Sequence, residues 1–208
     1  MIKNVIFDLG RVIYSYWPYD DMISLGFSET QATNINKNVF ENSLWVEQLD
    51  RGIYTVREGM ENFCEKFPDL AEDIRKITVD GLEVWWDRLM TIMPESLEFY
   101  YDVKRRGFGV YILTNFAEDS FAHMRNRDSF FNEADGIVVS AHEKLIKPEA
   151  AIYQCILNRY NLVPEETIFI DDSAANIAAA KAQGIHGIVF TNIEDCKKQF
   201  ERLCAEIS

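Results

Sequence analysis

Basic residues are scarce in this chain. Twenty-one Lys and Arg stand against thirty-four Asp and Glu, a formal net charge of −13 over 208 residues. Nucleic acid and anionic membrane surfaces call for a basic footprint, so neither is expected as a partner. A small anionic ligand stays open, because the field inside a pocket can oppose the net charge. Cysteine is sparse too: Cys64, Cys155, Cys196 and Cys204, none in a CxxC pair. The usual zinc spacing is missing and no disulfide framework is evident, so reduced thiols are expected. No apolar run approaches the roughly 20 residues of a membrane span. The first run is stopped by Asp8, which makes it too short for a signal peptide. A cytoplasmic protein is the expectation. The three histidines, His123, His142 and His186, have no partner pattern and read as surface or loop residues.

Apolar residues make up 48% of the chain, enough for a full core and too many for disorder. Short runs rich in β-branched and aromatic residues recur at Val5–Phe7, Val110–Leu113, Gly136–Val139, Ile168–Ile170 and Gly187–Phe190. Their length and composition suit strands buried on both faces. A helical stretch precedes each of the last four: Pro94–Arg106, Glu118–Arg127, Pro148–Tyr160 and Ser173–Gln183. A tail helix, Asn192–Glu206, follows. Pro94 suits a first helical turn, and Gly107 and Gly184 suit helix stops. This alternation predicts an α/β fold, a Rossmann-like parallel five-stranded sheet flanked by helices. Residues 16–93 break the rhythm directly after the first strand. They show no clear strand and read as an all-helical cap, with Phe40, Leu44, Trp45, Phe63, Phe67, Trp85 and Trp86 as its core. The expected division is 1–15 with 94–208 as the sheet domain and 16–93 as the cap.

Asp8, Thr114 and Asp171-Asp172 each follow a strand run, so parallel strands bring them to one rim of the sheet. Two carboxylate clusters meeting there can hold one metal ion, and Lys147 can offset part of their charge. That combination points to phosphoryl-transfer chemistry rather than binding alone. Taken singly, each residue has a plainer reading. Asp8 can be a turn aspartate, Asp171-Asp172 can cap the helix that follows, Thr114-Asn115 can be a cap, and Lys147 can be solvated surface.

Four segments in order carry a family resemblance. Phe7-Asp8-Leu9-Gly10-Arg11-Val12-Ile13, Leu113-Thr114-Asn115, Lys147-Pro148-Glu149 and Phe169-Ile170-Asp171-Asp172 resemble the four motifs of the haloacid dehalogenase-like superfamily. Within it, the early helical insertion and the FDLG start resemble bacterial sugar-phosphate phosphatases of the glucose-1-phosphate type. The resemblance implies Asp8 as a nucleophile that forms an aspartyl-phosphate. It implies Thr114, Asn115 and Lys147 as phosphate binders. It implies a magnesium ion held by Asp8, the Gly10 carbonyl and Asp172, with Asp171 in an outer shell. The expected substrate is a small phosphorylated metabolite, a sugar phosphate in the first instance.

Two positions depart from the family pattern. Most phosphatases of the superfamily carry an acid two residues after the nucleophile, where this chain has Gly10. Ser15, Asp20 and Asp21 are the later polar residues of that stretch. A general acid/base is worth about 10²–10⁴-fold, so another group, an easily expelled leaving group or weak turnover is required. Arg11 stands where glycine or asparagine is common and is a candidate for the substrate pocket. Trp17, with Tyr16 and Tyr19, could line that pocket by stacking. A metal-independent 2-haloacid dehalogenase and a catalytically weak phospholigand-binding regulator are the alternatives. The acidic pair counts against the first, and Gly10 favours the second.

Overall fold

The computed structural model describes residues 1–78 and 81–207. Five short strands, β1 (Asn4–Phe7), β2 (Gly109–Thr114), β3 (Gly136–Val139), β4 (Thr167–Asp171) and β5 (His186–Val189), form one sheet in the order β3-β2-β1-β4-β5. Every pairing is parallel. Both faces are covered, which is why the strands are almost continuously apolar. Val5 and Phe7 of β1 join Ile112, Ile170, Phe99, Tyr100 and Phe200 in one core layer. The latter three come from helices Pro94–Arg105 and Ile193–Glu206. Ile6 points to the opposite layer with Leu113 and Phe169, under Ile152, Tyr153 and Ile177. Those last three sit on helices Ala150–Tyr160 and Ala174–Ala182.

Strands β1, β2 and β4 are one or two residues longer than their apolar runs, because ladder pairing continues past them. Thr114 pairs with Val139 and Asp171 with Val189, so both end strands rather than follow them. His186 opens β5 instead of lying in a loop. The helix expected from Pro148 starts at Ala150. Before it the chain closes a turn in which the Glu149 N–H donates to the Ile146 carbonyl at 2.9 Å.

Between β1 and the helix at Pro94 the described residues contribute no strand to the sheet. Residues 79 and 80 of the expected 16–93 span lie outside the description. Helices Glu29–Ile35 and Val56–Lys66 begin at capping boxes, Ser28 with Gln31 and Thr55 with Glu58. Wide turns of π-helix occupy Asn36–Phe40 and Trp45–Asp50. The expected aromatic core forms. Phe40, Phe63 and Trp85 ring Trp45 at centroid distances of 5.1, 6.3 and 6.5 Å. Trp86 packs on Trp85 at 4.6 Å and also reaches Phe116, beyond β2, at 5.8 Å. The two chain crossings into this helical segment run side by side. Ser15 N–H donates to Thr91 O (2.8 Å) and Met93 N–H to Ile13 O (2.9 Å).

Candidate active site

The chain builds β2 and β3 on one side of β1, then returns to build β4 and β5 on the other. Ligands of such sheets lie outside the carboxyl ends of the strands at this reversal. Asp8 and Asp171 stand there. The Asp8 N–H continues the ladder to the Ile170 carbonyl (2.9 Å), which fixes its backbone at the rim.

Lys147 reaches the same point from the opposite layer. Its ammonium lies 2.9 Å from Asp8 Oδ1 and 2.7 Å from Asp171 Oδ2, and it donates to the Leu113 carbonyl at 3.2 Å. All three ammonium protons are thereby used. The Lys147 backbone is clamped by Asn115, whose amide donates to its carbonyl (3.0 Å) and accepts from its N–H (2.8 Å). Burial alone would lower the ammonium's pKa, but the carboxylates of Asp8 and Asp171 carry it above its ordinary value, so it stays a cation. Asp8 is pushed up to about 7. Its burial outweighs the pull of Lys147, and the Asp171 charge adds to the rise.

The adjacent acids are held differently. Asp171 is fully buried, and both its oxygens are occupied. Oδ1 accepts from Ser173 N–H (2.8 Å) and the Asn176 amide (3.0 Å), and Oδ2 from Lys147 and again from Asn176 (3.1 Å). Asp172 is partly exposed, and its ion-pair partner is Arg11 at 3.7 Å. Burial raises its pKa, with Asp171 adding to the effect. Asp8, Asp171 and Asp172 each bring one carboxylate oxygen within 4.8 Å of the others. The donor set, hard oxygens with free capacity on Asp8 and Asp172, fits a hard divalent cation. Asp171, saturated by its own donors, fits a supporting place behind them.

A cavity of about 350 Å³ opens over this rim. Asp8, Gly10, Arg11, Asn115 and Asp172 form its floor. Most of the rest is apolar, with Tyr16, Phe40, Trp45, Trp86, Met90 and Phe116 prominent. Thr114 is buried at the end of β2 and is not part of the lining. Trp17 also lies off the wall. It is 52% exposed and stacks on the Arg11 guanidinium, 4.5 Å from the ring centroid. Arg11 has φ 58°, the left-handed region that explains why glycine or asparagine is common at this place. Its Nε donates to the Tyr16 carbonyl at 3.2 Å.

Ser15, Asp20 and Asp21, the polar residues that follow Gly10 in the sequence, do not line the cavity. Ser15 is bonded to Thr91 (2.6 Å), Asp20 is exposed, and Asp21 is paired with Arg88 (2.5 Å). Three features escaped the sequence. Phe40, Trp45 and Trp86 serve the helical core and the cavity wall at once. Phe116 faces them from beyond β2. Asp50, in a Leu49-Asp50-Arg51-Gly52 stretch that reads as an ordinary turn, is a buried wall residue.

A model of the haloacid dehalogenase-like hydrolase family matches residues 2–184. The chain is 27% identical over 194 residues to the sesquiterpene phosphatase AstK of Aspergillus oryzae, covering 91% of this chain and 90% of that protein. It is 28% identical over 166 residues to a phosphorylated carbohydrates phosphatase of Thermotoga maritima, 76% of each. Of two longer relatives the chain spans 19% and 37%. The magnesium complex of a haloacid dehalogenase family enzyme from Bacteroides thetaiotaomicron shares the fold, with TM-score 0.69 at 21% identity over 91% of this chain and 93% of that one.

Proposed function

The chain belongs to the haloacid dehalogenase-like hydrolase family, and on that premise we propose that it is a magnesium-dependent phosphatase of small phosphate monoesters. The observation that carries this is the convergence of Asp8, Lys147 and the Asp171-Asp172 pair beneath one cavity. Asp8 attacks phosphorus in line, and an aspartyl-phosphate forms as the alcohol leaves. Lys147, held by Asp8, Asp171 and Leu113, supplies a fixed positive charge that opposes the charge on the phosphoryl oxygens. Water then cleaves the acyl phosphate. Asp8, Asp172 and the Gly10 carbonyl would hold the magnesium, which when bound neutralises carboxylate and phosphoryl charge. Residues 16–93 act as a cap that excludes water and selects the alcohol.

The aromatic wall favours an alcohol with a large apolar face, and AstK, a relative named for a sesquiterpene, is consistent with that. A sugar phosphate is the second reading. Glu41 on the wall can accept hydroxyl hydrogen bonds, aromatic faces can stack on a sugar ring, and a carbohydrate phosphatase is among the relatives. A panel of prenyl, aryl and sugar phosphates assayed with magnesium tests both. Turnover is expected, with the highest kcat/KM on the apolar esters, and Asp8→Asn is expected to abolish it. Turnover surviving in Asp8→Asn removes Asp8 from the nucleophile's role, and a preference for sugar esters selects the second reading.

A further inference from the structure

A Cβ built on Gly10 meets nothing within 4 Å, so the space where relatives carry their acid is open here. The same cavity is lined by another carboxyl. Asp50 closes the turn Trp45–Asp50, is 8% exposed, and shares the cavity wall with Asp8, Gly10 and Asp172. Among the described residues its carboxyl oxygens take part in no hydrogen bond or ion pair, and they open onto the cavity rather than being sealed in the core. A carboxyl with no protein partner on the wall of a reactive site has its proton free for a ligand.

Its place is fixed from the sheet side. Ser140 Oγ donates to the Asp50 carbonyl (2.5 Å) and accepts from Phe116 N–H (2.9 Å). Arg51 pairs with both Glu149 oxygens at 3.2 and 2.6 Å and donates to the Lys144 carbonyl at 3.2 Å. Lys144 returns a bond to the Gly52 carbonyl. Three consecutive residues are thus gripped by the 140–149 stretch that also delivers Lys147.

We infer that Asp50 is the general acid and base of the reaction, acting from the helical segment in place of the acid absent at Gly10. The assignment rests on the phosphatase reading. In the first step the bond from Asp8 to phosphorus forms, the ester P–O bond breaks, and the departing alkoxide takes the Asp50 proton to leave as the alcohol. In the second, the Asp50 carboxylate takes a proton from the attacking water, a new P–O bond forms, the bond to Asp8 breaks, and phosphate departs with Asp50 again protonated. The protonation state at rest suits this order. Burial pushes the Asp50 carboxyl up to about 8, against the pull of Lys147 and with the Asp8 charge adding to the rise.

The test is leaving-group dependence in Asp50→Asn, a near-isosteric change. Alkyl phosphates, whose alkoxides need a proton, are expected to lose about 10²–10⁴-fold in turnover. With 4-nitrophenyl phosphate, whose phenolate leaves unaided, the first step is expected to survive. The variant then gives a stoichiometric burst of nitrophenol and a slow steady state, since the second step has lost its base. Gly10→Asp added to Asp50→Asn is expected to restore part of the alkyl activity from the sheet side. Equal losses on both ester classes without a burst, or unchanged rates on both, overturn the assignment while the phosphatase reading stands. A wild-type protein that hydrolyses neither ester removes the phosphatase reading, and this assignment with it.

Discussion

Asp50 shows how a single residue can serve chemistry against stability. Its carboxyl has no hydrogen-bond or ion-pair partner among the described residues, and burial outweighs the pull of the Lys147 charge, with the Asp8 charge adding to the rise. Linkage gives the sign. The carboxyl titrates near 3.9 when unfolded and at about 8 when folded. The native state therefore holds the extra proton between those values. Its contribution is largest below the unfolded pKa and is lost as pH rises through about 8. Asp50→Asn is expected to be about 1–3 kcal/mol more stable than wild type at pH 8.5, with the difference shrinking toward pH 5. Urea unfolding at both pH values checks this; a variant less stable at pH 8.5 would mean the carboxylate has a partner. Asp8 and Asp171-Asp172 were legible in the sequence because each lies in a motif at a strand end, and Lys147 because it opens a motif of its own beyond β3. Asp50 was not, because nothing local marks a wall residue: its role depends on a contact with Ser140, ninety residues away.

At the scale of elements, the strand–helix alternation was readable because buried parallel strands leave short β-branched runs between capped helices. Helix Glu118–Arg127 and strand Gly136–Val139 match the sequence reading end to end. The misses fall where long-range bonds override local signals. Pro148 reads as a helix start, yet the chain around it is bent to present Lys147, with Asn115 on both backbone groups. The grip of the 140–149 stretch on residues 50–52 is equally invisible locally. Gly52 belongs to it, with φ 71° and the Ala141 carbonyl 2.6 Å from any Cβ placed there. Ser140→Ala would strand the buried Phe116 N–H and the Asp50 carbonyl, at about 1–3 kcal/mol. A lower melting temperature is expected, together with a fall in alkyl relative to 4-nitrophenyl phosphate turnover, as Asp50 loses its support. Lost stability with an unchanged ester ratio would show that Ser140 supports the fold without positioning Asp50.

For the whole molecule, the balance of charge matters most where it is concentrated. A chain of net charge −13 gathers Asp8, Asp171 and Asp172 around one point, with Lys147 as the buried cation among them. Burial and mutual repulsion hold Asp8 and Asp172 above their ordinary pKa values. A divalent cation bound there would reverse both effects and would bind the native state alone. Stabilisation then follows mass action, about 2.7 kcal/mol at a hundred times the dissociation constant. The melting temperature is accordingly expected to rise with magnesium and to return to its starting value with a chelator. Calcium, larger and content with looser coordination, should raise it without supporting turnover. Asp172→Asn should blunt the rise most, since that carboxylate has oxygens to spare. Asp171→Asn should instead lower the melting temperature before any metal is added, by breaking the pair with Lys147. If magnesium shifts the Asp172→Asn variant as far as wild type, the ion sits elsewhere, and the rim acids act through Lys147 alone.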